Sequence, residues 1–176
     1  MSEVPASTRI AASTGPLHGA AQIVATDVVD EPLAIARQMG ADEVINVATD
    51  NSWVSRYAAD KGTFDVLLEC SGNQRALRDG METMRPRGVI VQLGLGGDVS
   101  ISQNMVVAKE IDIRGSFRFH AEFALAVQII NQRRIDFSPV ITRSFPMQQA
   151  NDAFALASDR KRAMKVLIDF ADVPTA

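Results

Sequence analysis

Phe64-Asp65-Val66-Leu67-Leu68-Glu69-Cys70-Ser71-Gly72 is a strand-forming run that ends in small residues. It is followed by a helical stretch from Asn73 to Met84, a Pro86-Arg87-Gly88 turn, and the apolar run Val89-Ile90-Val91-Gln92-Leu93. Near-continuous apolar strands joined through a helix are the signature of parallel strands covered on both faces. The pattern extends outward in both directions. Upstream, Gln22-Ile23-Val24-Ala25-Thr26-Asp27 reads as a strand and Asp30-Glu31-Pro32 as a helix start, with Asp30 as N-cap and Pro32 in the first turn. Leu33, Ala36 and Met39 then recur at threefold spacing, and Gly40 ends that helix. Glu43-Val44-Ile45-Asn46 is the next strand and Ser52 to Asp60 the next helix.

Downstream, Ile111-Asp112-Ile113-Arg114-Gly115-Ser116-Phe117 alternates with period two, which predicts an edge strand with one wetter side. Phe123, Val127 and Ile130 share one helical face, as do Ala150, Ala153, Phe154 and Ala157, before a last strand from Lys165 to Phe170. Strands alternating with helices predict an α/β fold, a doubly wound, mostly parallel sheet. Its domain runs over residues 22–170. Residues 1–21, rich in Ala, Ser, Thr, Gly and Pro, read as a loosely ordered remnant of a first βα unit, and residues 171–176 as a tail.

Composition narrows the function. With 176 residues and 47% hydrophobic side chains, the chain has enough apolar surface for one compact domain. Eighteen basic against 21 acidic residues, with no basic helix face, argues against nucleic acid. No apolar run approaches the ~20 residues of a membrane helix, and the opening residues lack the apolar core of a secretory signal. One cysteine, Cys70, excludes an internal disulfide and fits a reducing compartment, the cytoplasm. Two histidines and that cysteine cannot together form a Cys/His zinc cage of four.

Open parallel sheets bind ligands beyond the carboxyl ends of their strands. Four features sit there. Asp27 can accept the hydroxyls of an adenosine ribose and repel the extra phosphate of the phosphorylated cofactor, which favours NAD; it can equally be a cap or a solvated acid. Cys70-Ser71-Gly72 offers a small turn, or simple packing and a helix cap. Leu93-Gly94-Leu95-Gly96-Gly97 lets backbone approach a planar ring, or is an ordinary glycine turn. Phe117-Arg118-Phe119 can wall a pocket and present a charge, or is core with a solvated arginine. Falling at successive strand ends, the four together point to a dinucleotide. Arg160-Lys161-Arg162 reads as a solvated helix end, and His120 as a polar cap beside Phe119.

Gly40-Ala41-Asp42-Glu43-Val44-Ile45-Asn46, the 64–72 stretch, Arg85-Pro86-Arg87-Gly88-Val89-Ile90-Val91-Gln92-Leu93-Gly94, Gly115-Ser116-Phe117-Arg118-Phe119 and Ala163-Met164-Lys165-Val166 resemble medium-chain zinc-dependent dehydrogenases, most of all the sorbitol and L-idonate branch. The likeness runs in unbroken order from about Gly19 to Phe170. It implies the cofactor-binding half of a Rossmann-like enzyme that oxidises a secondary alcohol of a polyol or sugar acid with NAD(P). Asp27 would hold ribose, Leu93, Gly94 and Leu95 would lie beside the nicotinamide, and Phe117, Arg118 and Phe119 would line the nicotinamide and substrate edge. Phe119 stands where sorbitol-type relatives often have a tyrosine, and Pro32 where a basic residue often follows the ribose acid.

The front of the chain departs from that family. Gly15-Pro16-Leu17 is all that remains of a Gly-x-Gly-x-x-Gly fingerprint, whose following helix holds the pyrophosphate. Eleven positions separate Gly15 from Asp27 and the strand takes five of them, too few for a crossover helix, so the first strand and first helix are expected to be incomplete. Residues 1–14 do not resemble the half that carries the family's zinc ligands. The expectation is a truncated dehydrogenase, inactive alone, with weak affinity for NAD. Competing readings are a non-catalytic nucleotide-binding module and a homodimerisation module pairing through the edge strand 111–117.

Overall fold

The computed structural model describes residues 19–159 and 161–171. They form an α/β, Rossmann-like fold with seven strands, β1 (Val24–Asp27), β2 (Glu43–Asn46), β3 (Phe64–Glu69), β4 (Met84–Gln92), β5 (Asp112–Gly115), β6 (Ile141–Pro146) and β7 (Lys165–Asp169). The helices between them are α1 (Asp30–Gln38), α2 (Trp53–Ala58), α3 (Gln74–Thr83), α4 (Gln103–Ala108), α5 (Glu122–Asn131) and α6 (Ala150–Ser158). Every strand pairing is parallel. Hydrogen bonding divides the strands into three groups, β1-β2, β3-β4-β5 and β6-β7, in place of the one continuous sheet expected. The expectations of an incomplete first βα unit and a loose start concern residues of which 1–18 lie outside the described ones, as does the tail 172–176.

Helix α1 begins one residue earlier than Asp30 was expected to place it. Val29 is the N-cap and, with an apolar side chain, makes no capping bond; Asp30 is already helical and its Oδ1 accepts from Asn46 Nδ2 at 2.6 Å. The acid of that turn is Asp27, whose Oδ1 accepts the Val29 N–H at 3.1 Å. Asn73 is a true N-cap for α3, since its side chain accepts the N–H groups of Arg75 and Ala76. The helix expected over 52–60 is regular only to Ala58; a 3-10 turn follows, and Asp60 sits in left-handed backbone at φ 52°.

Pro86-Arg87-Gly88 is not a turn before β4 but an irregularity inside it. Phe64 pairs with Met84 and Val66 with Val89, so residues 85–88 stand against Asp65 alone. The bulge tolerates Pro86 because its residues are out of the ladder. It is pinned from α4: Lys109 Nζ donates to the carbonyls of Glu82 and Met84, each at 2.7 Å, and the Arg87 N–H donates to the Lys109 carbonyl at 2.6 Å.

The largest core is Leu77, Met81, Met84, Ile90 and Ile111, with Leu67 and Phe64 against it. Phe64 also packs on the cluster of Ile45, Trp53 and Tyr57, which joins β2 and α2 to β3. Register puts Leu67 and Ile90 on one face of the three-stranded group and Val66, Leu68, Val89 and Val91 on the other. The first face is covered; on the second, Val66 and Leu68 are exposed, against the reading of β3 as a fully buried strand. All four residues of β5 are exposed as well, so its alternation does not mark one dry and one wet side. Two elements went unread in the sequence. Helix α4 has six residues, less than two turns of pattern. Strand β6 lies between prolines and buries only Phe145.

Tyr57 supplies a probe of this packing. Its hydroxyl donates to Glu43 Oε2 at 2.5 Å, and burial, then that bond and the Glu43 charge, push the phenol up to about 12. A raised folded pKa means the stabilisation is complete below the ordinary value of 10.0 and is lost as pH rises through about 12. Because the chain has a single tyrosine, phenolate absorbance should titrate with a midpoint near about 12 in the folded protein. Glu43→Gln should lower that midpoint, and an unchanged midpoint would contradict the assigned cause.

Candidate functional site

The ends of β3 and β4 are knotted together by one residue. The backbone carbonyl of Glu69 accepts both Leu93 N–H (2.8 Å) and Gly94 N–H (2.9 Å). Its carboxylate, on a residue only 4% exposed, accepts the Ser71 N–H at 2.8 Å and the Gly72 N–H at 3.1 and 3.0 Å. It also accepts short bonds from the Ser71 hydroxyl and from Gln92 Nε2. Gln92 Nε2 donates in addition to the Gly94 carbonyl at 3.0 Å. A buried carboxylate without such donors would be expelled or protonated; here the donors come from the turn itself.

This knot explains the glycines. A Cβ on Gly94 would fall inside the van der Waals shell of the Gly72 nitrogen, and one on Gly96 would strike the Gly72 carbonyl. Gly72 itself has φ +66° and faces the Gly96 nitrogen. Backbone approach is thus required at Gly94 and Gly96, and the chain that approaches them is the Cys70-Ser71-Gly72 turn. The two small-residue motifs are the two halves of one contact.

Beyond the knot, β4 and β5 open on a cavity of about 610 Å³, within the range of small-molecule pockets. Gln92, Gly94 and Leu95 form one wall, and residues Gly115 to His120 the other. The Ser116 N–H donates to the Gln92 carbonyl at 3.0 Å and carries the β4-β5 pairing to the lip. Leu95, Phe117 and Phe119 are exposed at 81%, 61% and 62%, a largely apolar lining with one cation. That cation is Arg118, in left-handed backbone at φ 59°, its guanidinium 5.0 Å from the Phe117 ring centroid. Such backbone costs a non-glycine residue about 1–2 kcal/mol. Phe119 stacks against Phe123 of α5 at 4.9 Å. The Glu122 carboxylate accepts the His120 N–H at 2.9 Å; its own and the His120 backbone bonds hold it below the ordinary carboxylate value.

Of the seven positions singled out in the sequence, Gly94, Leu95, Phe117, Arg118 and Phe119 line this cavity. Leu93 does not; it is partly exposed beside it. Asp27 does not either: it is 6% exposed at the end of β1 and shapes the turn into α1. His120, read as a mere cap, is a lining residue, as are Gln92 and Ser116. Glu69 escaped notice because an acid closing an apolar strand looks like a solvated terminus; the signal was the Ser-Gly donors that follow it. Among the described residues no group of three or more His, Cys, Asp or Glu is placed to hold a metal. Cys70 is a buried thiol in the β3-β4 knot and His120 is exposed at the cavity, so these residues do not fit a zinc site. Among them too, no helix is long and apolar enough to cross a membrane.

A cavity beyond the carboxyl ends of parallel strands lies where open α/β sheets bind their ligands. The chain belongs to the zinc-binding dehydrogenase family, whose profile matches residues 10–132. It is 37% identical to L-idonate 5-dehydrogenase (NAD(P)(+)) of Escherichia coli K12 over 153 residues, 86% of this chain and 44% of that protein. It is 30% identical to sorbitol dehydrogenase of Arabidopsis thaliana, over 84% of this chain and 43% of that one. The chain therefore spans less than half the length of these relatives. The crystal structure of the E. coli L-idonate 5-dehydrogenase superposes with a TM-score of 0.88 at 34% identity, over 96% of this chain and 48% of the other. The fold is shared with an E. coli CFT073 alcohol dehydrogenase in complex with NADH (TM-score 0.81, 23% identity, 92% of this chain and 48% of that one). It is also shared with a Sinorhizobium meliloti zinc-binding dehydrogenase bound to NADP (0.83, 20%, 94% and 50%).

The glycine contact is testable by stability. Gly94→Ala forces β3 and β4 ends apart, an overpacking cost of about 1–3 kcal/mol. Gly115→Ala, with nothing within 4 Å of its Cβ, should stay within about 0.5 kcal/mol. Urea midpoints at unchanged slope read both, and equal midpoints would remove the contact as the reason for Gly94.

Proposed function

We propose that the chain is the nicotinamide-dinucleotide-binding half of an NAD(P)-dependent polyol or sugar-acid dehydrogenase, of the L-idonate 5-dehydrogenase type, acting in the cytoplasm. The observation that carries this reading is the cavity between Gly94-Leu95 and Phe117-Arg118-Phe119, in a member of the zinc-binding dehydrogenase family. Relatives named or solved with NAD(P), NADH or NADP support a nicotinamide dinucleotide as ligand.

The residues divide the work by chemistry. Leu95, Phe117 and Phe119 offer apolar walls to a planar nicotinamide and exclude water from its reactive face. Arg118 offers a fixed charge to a phosphate or hydroxyl. Asp27, at the end of β1, supports ribose binding and a preference for NAD over NADP. In the whole enzyme, zinc held by the other half would polarise the alcohol so that hydride can pass to the nicotinamide. Helix α5 supports the existence of such a half: Phe123, Leu125, Val127 and Ile130 are all exposed, and a helix this apolar calls for cover.

A second reading, association through β5, is favoured by its place at the edge of its group. Because Ser116 N–H points to β4, the period of two turns the N–H groups of Ile113 and Gly115 outward, toward an open edge.

Four results are expected. Without a Gly-x-Gly-x-x-Gly cradle, isothermal titration with NAD should give affinity of about a millimolar, a few kcal/mol short of a full site; micromolar binding would contradict this. Arg118→Ala should weaken NADH binding further, and sorbitol or L-idonate should not be turned over by the chain alone with added zinc. Light scattering should show a dimer that Ile113→Pro converts to monomer, since it removes an outward donor without cutting the β4-β5 ladder; a monomeric parent chain rules the second reading out.

A further inference from the structure

Gln92 touches both the buried knot and the cavity through its side chain. A carboxylate can only accept hydrogen bonds, so Glu69 forces the Gln92 amide to present its nitrogen. The same nitrogen then has a second hydrogen for the Gly94 carbonyl, 3.0 Å away in the cavity wall. The Glu69 backbone carbonyl meanwhile holds the N–H groups of Leu93 and Gly94. Leu93 and Gly94 are therefore gripped through N–H by the main chain of Glu69, and Gly94 also through C=O by its side chain, by way of Gln92. The Ser71 and Gly72 N–H groups and the Ser71 hydroxyl that share the carboxylate with Gln92 are neutral donors, so hydrogen-bond geometry sets the amide's orientation.

We infer that Glu69 is a positioning residue of the nicotinamide site, acting through the Gln92 amide to fix the Gly94-Leu95 wall of the cavity. This rests on the reading of the cavity as that site, and adds the residue that sets its shape. Glu69→Gln turns an acceptor into a donor opposite Gln92 or the Ser71 and Gly72 N–H groups, which breaks the chain of bonds at its root. Gln92→Met keeps the side-chain volume and removes only the amide.

The test pairs amide hydrogen exchange over residues 93–97 with NADH fluorescence titration, on Glu69→Gln, Gln92→Met and the double variant of the full chain. Expected is exchange faster by about tenfold or more at 93–97 in both single variants, with β1-β2 and β6-β7 unchanged. NADH binding should weaken by about tenfold, and the double variant should be no worse than the more severe single one, as for residues acting in one network. Should the parent chain bind no NADH while exchange at 93–97 still rises in this local, non-additive way, the cofactor reading falls and the positioning of the wall stands. Parent-like exchange and affinity in Gln92→Met, or additive effects in the double variant, overturn the inference. If Glu69→Gln does not fold, Gln92→Met decides alone by the same two readouts.

Discussion

A buried carboxylate dictates the architecture of the site. Glu69 closes β3 inside the protein, and its charge is tolerable only because the next residues, Ser71 and Gly72, turn their N–H groups and a hydroxyl back on it. That turn brings Gly72 against Gly94 and Gly96, so the ends of β3 and β4 meet backbone to backbone. The glycines, the small serine and the Gln92 amide are all consequences of satisfying one acid. Hydrogen bonds to a charged group are worth about 1.5–3 kcal/mol each, so this corner should rank among the most rigid of the sheet. The cavity is built on its outer surface.

The opposite quality marks the rest of the cavity and its surroundings. Leu95, Phe117 and Phe119 are apolar and open, α5 exposes four large apolar side chains, and one face of β3 leaves Val66 and Leu68 uncovered. Parallel sheets are ordinarily covered on both faces. The chain spans less than half the length of its L-idonate and sorbitol dehydrogenase relatives, and exposed apolar surfaces of this kind mark sites of interaction. The corner and the open apolar surfaces meet at the cavity, where the wall on β4 faces the large, exposed side chains of the 117–119 turn.

Much of this was legible before any coordinates. Strands β1 to β5 and β7, five of the helices and the parallel pairing follow from apolar period, caps and breakers, because these are local preferences written in a few neighbouring residues. The failures have identifiable causes. Pro86 and Gly88 are turn residues by type, yet they sit in a bulge held by Lys109, a partner 21 or more residues away. Asp30 looks like a cap, but Asn46 recruits its carboxylate and Asp27 makes the turn. Strand β6 carries too little buried surface to leave a pattern.

By itself the sequence determined the class: alternating strands and helices, parallel pairing, and glycine and aromatic turns at successive strand ends, since each is a property of residues adjacent in the chain. What only the tertiary structure decided is which of those turns touch. It set Gly94 against Gly72 rather than against open space, put Gln92 and His120 in the cavity, kept Asp27 out of its lining, and made Glu69 the center of the site. The physical reason is that a hydrogen bond between residues 69 and 92, or a clash between residues 72 and 94, depends on how separate strands are laid side by side. No residue's own neighbours in the chain record that distance.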